Sequence, residues 1–101
     1  MRTHALLLAL AAPLAAVAQT PDALQVRGLA ATCANCHGTD GRAVQGSSVP
    51  ALAGLPAADL LQQLRAFRDG SRPATVMQQI AKGYSEAQLQ QLAAYFAAQK
   101  Q

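Results

Sequence analysis

Two cysteines and a histidine within five residues, Cys33-Ala34-Asn35-Cys36-His37, constrain this chain more than any other feature. They are its only cysteines, so any fold must bring two thiols and an imidazole to one place. A disulfide here closes too small a loop to restrict much of the unfolded chain. A thioredoxin-type redox pair follows a strand and opens a helix. A structural zinc site takes four ligands, whereas this cluster offers three, with Cys36 and His37 adjacent. A c-type haem uses every member of the motif. C-x-x-C-H is its attachment signature, in which the thiols add to two vinyl groups and the neighbouring imidazole becomes the proximal iron ligand.

The surrounding sequence favours that third chemistry. Arg2 and His4 precede an apolar run, Ala5 to Val17, and Ala16-Val17-Ala18 is a small-x-small cleavage site. This is the layout of a secretory leader, and the run is short for a membrane span, which takes about 20 residues. The expectation is a leader over 1–18 and one small domain over 19–101, exported to the periplasm with no stable membrane insertion. An uncleaved anchor is the alternative. Beyond residue 18, His37 is the only histidine and Met77 the only methionine. Export places the cysteines in an oxidising compartment. The net charge of +3 is too small to argue for nucleic-acid binding. Tryptophan is absent and alanine supplies much of the apolar content, so the core needs a staple such as an embedded cofactor.

No segment alternates as a strand does, which predicts an all-α chain. The first helix is expected to open at Thr20-Pro21-Asp22, with Thr20 as N-cap, Pro21 at N1 and the acid Asp22 in the first turn. Val26, Leu29, Ala30 and Cys33 then form one stripe. Residues 38–56 read as loop. A second helix is expected over about 57–68, stopped by Gly70, with Ala57, Leu60, Leu61, Leu64 and Phe67 on its inner face. A short helical piece falls over 76–82. The last helix opens at Ser85 with Gln88 three residues on, a capping box, and turns Leu89, Leu92, Ala93 and Phe96 inward beside Tyr95.

Met77 is the natural second axial ligand, since a thioether raises the reduction potential; the alternative is a gap-filling core methionine. Ile80 and Tyr84 are expected beside it, excluding water. The stretch Pro50-Ala51-Leu52-Ala53-Gly54 is well placed to offer a backbone carbonyl to His37, and reads equally well as an ordinary turn. Arg72 and Lys82 flank Met77, either steering an acidic partner or simply solvated.

In order along the chain, Cys33-Ala34-Asn35-Cys36-His37-Gly38, Pro50-Ala51-Leu52-Ala53-Gly54, Met77 and Leu92-Ala93-Ala94-Tyr95-Phe96 resemble a class I cytochrome c. Within that class, ATCANCHGTDG, PALAGLP, SRPATVMQQIAKGYS and QLAAYFAAQ are similar to the cytochrome subunit of flavocytochrome c sulfide dehydrogenase, and to single domains of bacterial dihaem cytochromes. The resemblance implies a few helices wrapped around one haem, attached at Cys33 and Cys36. It also implies His37 and Met77 as axial ligands, the Pro50 carbonyl as partner of His37, Leu52 against the haem, and crossed first and last helices. It implies an electron-transfer protein rather than an enzyme, taking electrons from a sulfide-oxidising flavoprotein subunit. A diffusible carrier feeding an oxidase is the alternative, as is a haem sensor or peroxidase if Met77 leaves the iron open.

Overall fold

The computed structural model describes residues 22–101. The expected leader and the expected cap Thr20-Pro21 lie outside the described residues. Five α-helices and one 3-10 turn follow in chain order, with no strand among the described residues. No helix there is long and apolar enough to cross a membrane.

Helix α1, Ala23–Ala31, is capped by Asp22, whose Oδ1 accepts a hydrogen bond from the Leu24 amide at 3.2 Å. This corrects the expected start: Asp22 is the cap rather than a first-turn residue. Its side chain is short enough to reach back to the orphan amides, and its backbone is extended as a cap requires. The helix ends sooner than its apolar stripe suggests. Thr32 closes it, and Cys33 begins a second short helix, α2, Ala34–His37.

Gly38 then turns the chain at φ 83°, where a Cβ would lie 1.9 Å from the Arg42 carbonyl oxygen. A 3-10 turn over Thr39–Gly41 follows, inside the stretch expected to be loop throughout. Its central residue, Asp40, adopts the left-handed conformation that Asp and Asn tolerate better than most residues.

Helix α3, Ala57–Asp69, stops at Gly70, which takes the left-handed cap conformation at φ 84°. Helix α4, Met77–Lys82, is short. Between them the Arg72 guanidinium sits 4.8 Å from the centre of the Phe67 ring. Helix α5, Glu86–Ala97, opens with the expected capping box, complete in both directions: Gln88 N–H donates to Ser85 Oγ, and Ser85 N–H donates to Gln88 Oε1.

The core gathers Ala30 of α1, Leu60 of α3, and Leu92, Ala93 and Phe96 of α5, with Leu89 and Ala81 also buried. Two of the residues where α1 and α5 meet are alanines, which lets the backbones come close. Leu29, Leu61, Leu64, Tyr84 and Tyr95 pack around this cluster from its edges. Helix α5 is thus the central element, against which α1 and α3 are laid.

Candidate cofactor site

The helical turn of α2 gathers the CxxCH motif. The Cys33 carbonyl accepts hydrogen bonds from the amides of Cys36, at 3.3 Å, and His37, at 2.9 Å. One turn therefore carries both sulfurs and the imidazole. Both thiols are free; Cys36 is exposed and Cys33 half-buried. Burial pushes the Cys33 thiol above its ordinary pKa, partly offset by Thr32 and reinforced by the neighbouring Cys36.

His37 is the buried polar residue of the described core, 8% exposed. Its Nδ1 lies 2.7 Å from the Pro50 carbonyl oxygen. A carbonyl only accepts, so Nδ1 carries the proton and donates it. In the neutral ring this fixes the tautomer and leaves the lone pair on Nε2. Among the described residues nothing hydrogen-bonds Nε2, and no fully buried side-chain nitrogen or oxygen lacks a partner. Nε2 therefore sits on the small open fraction of the ring.

The carbonyl that orients His37 is itself fixed. The amides of Leu52 and Ala53 both donate to the Gly41 carbonyl, at 2.8 and 3.1 Å. The Gly54 amide donates to the Phe96 carbonyl at 2.9 Å. Gly41, at φ 76°, permits this approach: a Cβ there would lie 2.8 Å from Phe96 Cδ1 and 2.9 Å from Leu52 Cβ. Leu52 is half-buried against the core.

Met77 heads α4 and is half-buried. Two of its apolar neighbours are exposed, Val76 at 54% and Ile80 at 38%. The chain's own side chains thus do not bury Ile80. Tyr84 is half-buried and makes a 2.8 Å hydrogen bond with Thr32 Oγ1. Thr32 spends its own hydroxyl proton on the Leu29 carbonyl, also at 2.8 Å, so the Tyr84 hydroxyl is the donor. This bond ties the segment after α4 to the residue just before Cys33.

These residues fit a c-type haem on several counts. The sulfurs share one turn, the imidazole is oriented with Nε2 available, and a thioether lies among exposed apolar side chains. Among the described residues no three Cys, His, Asp or Glu side chains converge as a metal cluster. The sequence reading missed Asp40 and Thr32, and placed Tyr95 beside the inner face of the last helix without its partner Asp40. Only the GTDG turn hinted at Asp40, and nothing local signals a partner 55 residues away.

Comparison with known proteins agrees with this arrangement. A family model described as cytochrome c matches residues 27–100. The thiosulfate dehydrogenase electron acceptor of Thiomonas intermedia (strain K12) is 42% identical over 86 residues, covering 85% of this chain and 36% of that protein. The cytochrome subunit of sulfide dehydrogenase of Chlorobaculum tepidum is 40% identical over 68 residues, covering 67% of this chain and 60% of that protein. Among solved structures, Acidithiobacillus ferrooxidans cytochrome c4 aligns with a TM-score of 0.61 at 41% identity, over 65% of this chain and 37% of that chain. The chain spans less than two thirds of the length of each of these relatives. With that match over most of its length and a helical architecture around the CxxCH turn, the chain belongs to the cytochrome c family and has the class I cytochrome c fold.

Proposed function

We propose that this chain carries one c-type haem, bound through Cys33 and Cys36 with His37 and Met77 as axial ligands, and passes single electrons between redox proteins. The haem supplies a ferrous–ferric couple. The chain's part is to hold and tune it. The hydrogen bond from His37 Nδ1 to Pro50 is the observation that carries this reading, because it leaves Nε2 free to bind metal and makes it a stronger donor. Met77 would supply the second ligand, which would leave no open position for a substrate, as suits a carrier rather than a catalyst. Leu52, Ile80 and Tyr84 contribute the apolar and hydrogen-bonded surroundings that exclude water.

In the sharper form of the proposal, the electron donor is an oxidoreductase of a reduced sulfur compound, such as the flavoprotein subunit of a sulfide dehydrogenase. Two relatives support it by their descriptions, a thiosulfate dehydrogenase electron acceptor and a cytochrome subunit of sulfide dehydrogenase. The second reading is a diffusible carrier feeding an oxidase. Cleavage of a leader after Ala18 and delivery of residues 19–101 to the periplasm belong to the same proposal.

The test is expression in a host with cytochrome maturation, followed by haem staining after denaturing electrophoresis and affinity isolation from the periplasm. Colour that survives boiling, together with a co-purifying flavin-containing subunit, is the expected result. A haem-free polypeptide refutes the cofactor, and a coloured monomer without a flavin subunit favours the diffusible carrier.

A further inference from the structure

Consecutive residues of α5 hold the two loops that bring His37 and Pro50 together. The Tyr95 hydroxyl donates to Asp40 Oδ1 at 2.5 Å, three residues after His37. The Phe96 carbonyl accepts from the Gly54 amide, four residues after Pro50. The loops also meet each other where the Leu52 and Ala53 amides reach the Gly41 carbonyl, next to Asp40. His37 Nδ1 and the Pro50 carbonyl therefore face each other inside a frame whose far side is α5.

The frame is over-determined on the Asp40 side. Asp40 is the only described non-glycine residue at positive φ, a conformation that needs support from its surroundings. Arg42 Nη1 lies 3.5 Å from its other carboxylate oxygen, and Arg42 Nε donates to the Lys100 carbonyl at 2.8 Å. The Tyr95 ring is held edge-on against Phe96, with centroids 5.3 Å apart, so its hydroxyl has little freedom.

We infer that the Tyr95–Asp40 pair is a positioning device for the proximal histidine: it fixes the 38–42 turn against α5 and so sets the His37–Pro50 hydrogen bond that tunes the iron. The inference rests on the proposal that His37 ligates haem iron. A firm Nδ1–H···O bond makes imidazole a stronger electron donor and favours the ferric state. Loosening it favours the ferrous state.

The experiment compares the holoprotein with Tyr95→Phe, which removes only the hydroxyl, and Asp40→Gly, which removes the carboxylate while easing the positive φ. The double variant and Glu86→Gln, which weakens a different tie to α5, complete the set. At a fixed ambient potential each single variant should raise the ferrous-to-ferric ratio about threefold, equivalent to about 30 mV for a one-electron couple. Each should also speed solvent exchange of the His37 Nδ1 proton, followed by NMR in the ferrous state. The double variant should add nothing further, as expected of one shared interaction. Glu86→Gln should change stability and leave both readouts alone.

The inference is overturned if Tyr95→Phe and Asp40→Gly alter only the unfolding midpoint, or if Glu86→Gln moves the two readouts as much as they do. Failure of the underlying proposal looks different: the wild-type protein would then lack haem, or show His37 off the iron.

Discussion

Arg65 and Arg68, three residues apart on α3, converge on the single carboxylate of Glu86 in the first turn of α5. Arg65 donates to Oε1 through Nε at 2.8 Å and also through Nη2, while Arg68 Nη2 reaches Oε2 at 2.6 Å. The Arg65 and Arg68 guanidinium groups, with Gln90, hold the Glu86 carboxyl down at about 2. The folded-state pKa lies below that of the free side chain. The contribution to stability is therefore complete above about pH 4.5 and is lost as pH falls toward 2. Acid unfolding followed by circular dichroism should show a higher midpoint pH for Glu86→Gln than for the wild type. The two curves should draw together below pH 2. The group is solvated, so the difference should also shrink in high salt.

Gly41 and Gly46 share a positive φ, 76° and 83°, but only Gly41 is crowded. A Cβ at Gly41 meets Phe96, Leu52 and the Ala53 amide within 3.0 Å, whereas one at Gly46 meets nothing within 4 Å. Gly46→Ala should cost only the left-handed strain, about 1–2 kcal/mol. Gly41→Ala adds an overpacking cost of about 1–3 kcal/mol and should disturb the Leu52 loop as well. Denaturant unfolding of the two variants measures the gap directly.

Leu92 is 1% exposed at the centre of α5, and Leu24 is 73% exposed on α1. Leu92→Ala should destabilise by about 2–5 kcal/mol, through lost transfer energy and a cavity between α1, α3 and α5. Leu24→Ala should change stability by less than about 0.5 kcal/mol. Thermal and denaturant unfolding of both variants checks the contrast.

Met77 tests the proposed second axial ligand. Met77→His should leave haem attachment intact and lower the reduction potential by a sizeable part of the about 0.8 V range over which axial ligands act. The oxidised spectrum should lose its methionine-to-iron charge-transfer band. An unchanged potential and spectrum would place Met77 among ordinary core side chains.

Signals that lie within one or two turns were the legible part of this fold. The Ser85–Gln88 capping box, the Gly70 stop and the buried face of Leu89, Leu92, Ala93 and Phe96 appear as the spacing predicts. The start of α1 was placed too early because Pro21 after Thr20 imitates a capped first turn, whereas Asp22 is the stronger cap residue and takes that place. Cys33 lies on the α1 stripe by spacing, yet the helix has already ended. The turn at Thr39–Gly41 was invisible because its conformation depends on partners far along the chain, Tyr95 on α5 and the Leu52 loop. The gathering of two thiols and an imidazole was readable because residues at fixed spacing within one helical turn stay together on folding. The frame around His37 was not, since hydrogen bonds between residues 55 apart leave no pattern in sequence.

The clasp of α1 by α5 also determines how the molecule answers a broken backbone. A protease cutting in the exposed segment 44–48 would separate α1, α2 and the Thr39–Gly41 turn from the other three helices. Yet the Ala30 contacts, the Tyr95–Asp40 bond and the Arg42–Lys100 bond all cross that cut. The nicked chain should persist as two fragments associated without a covalent link in the polypeptide, and the separated pieces should find each other again when mixed.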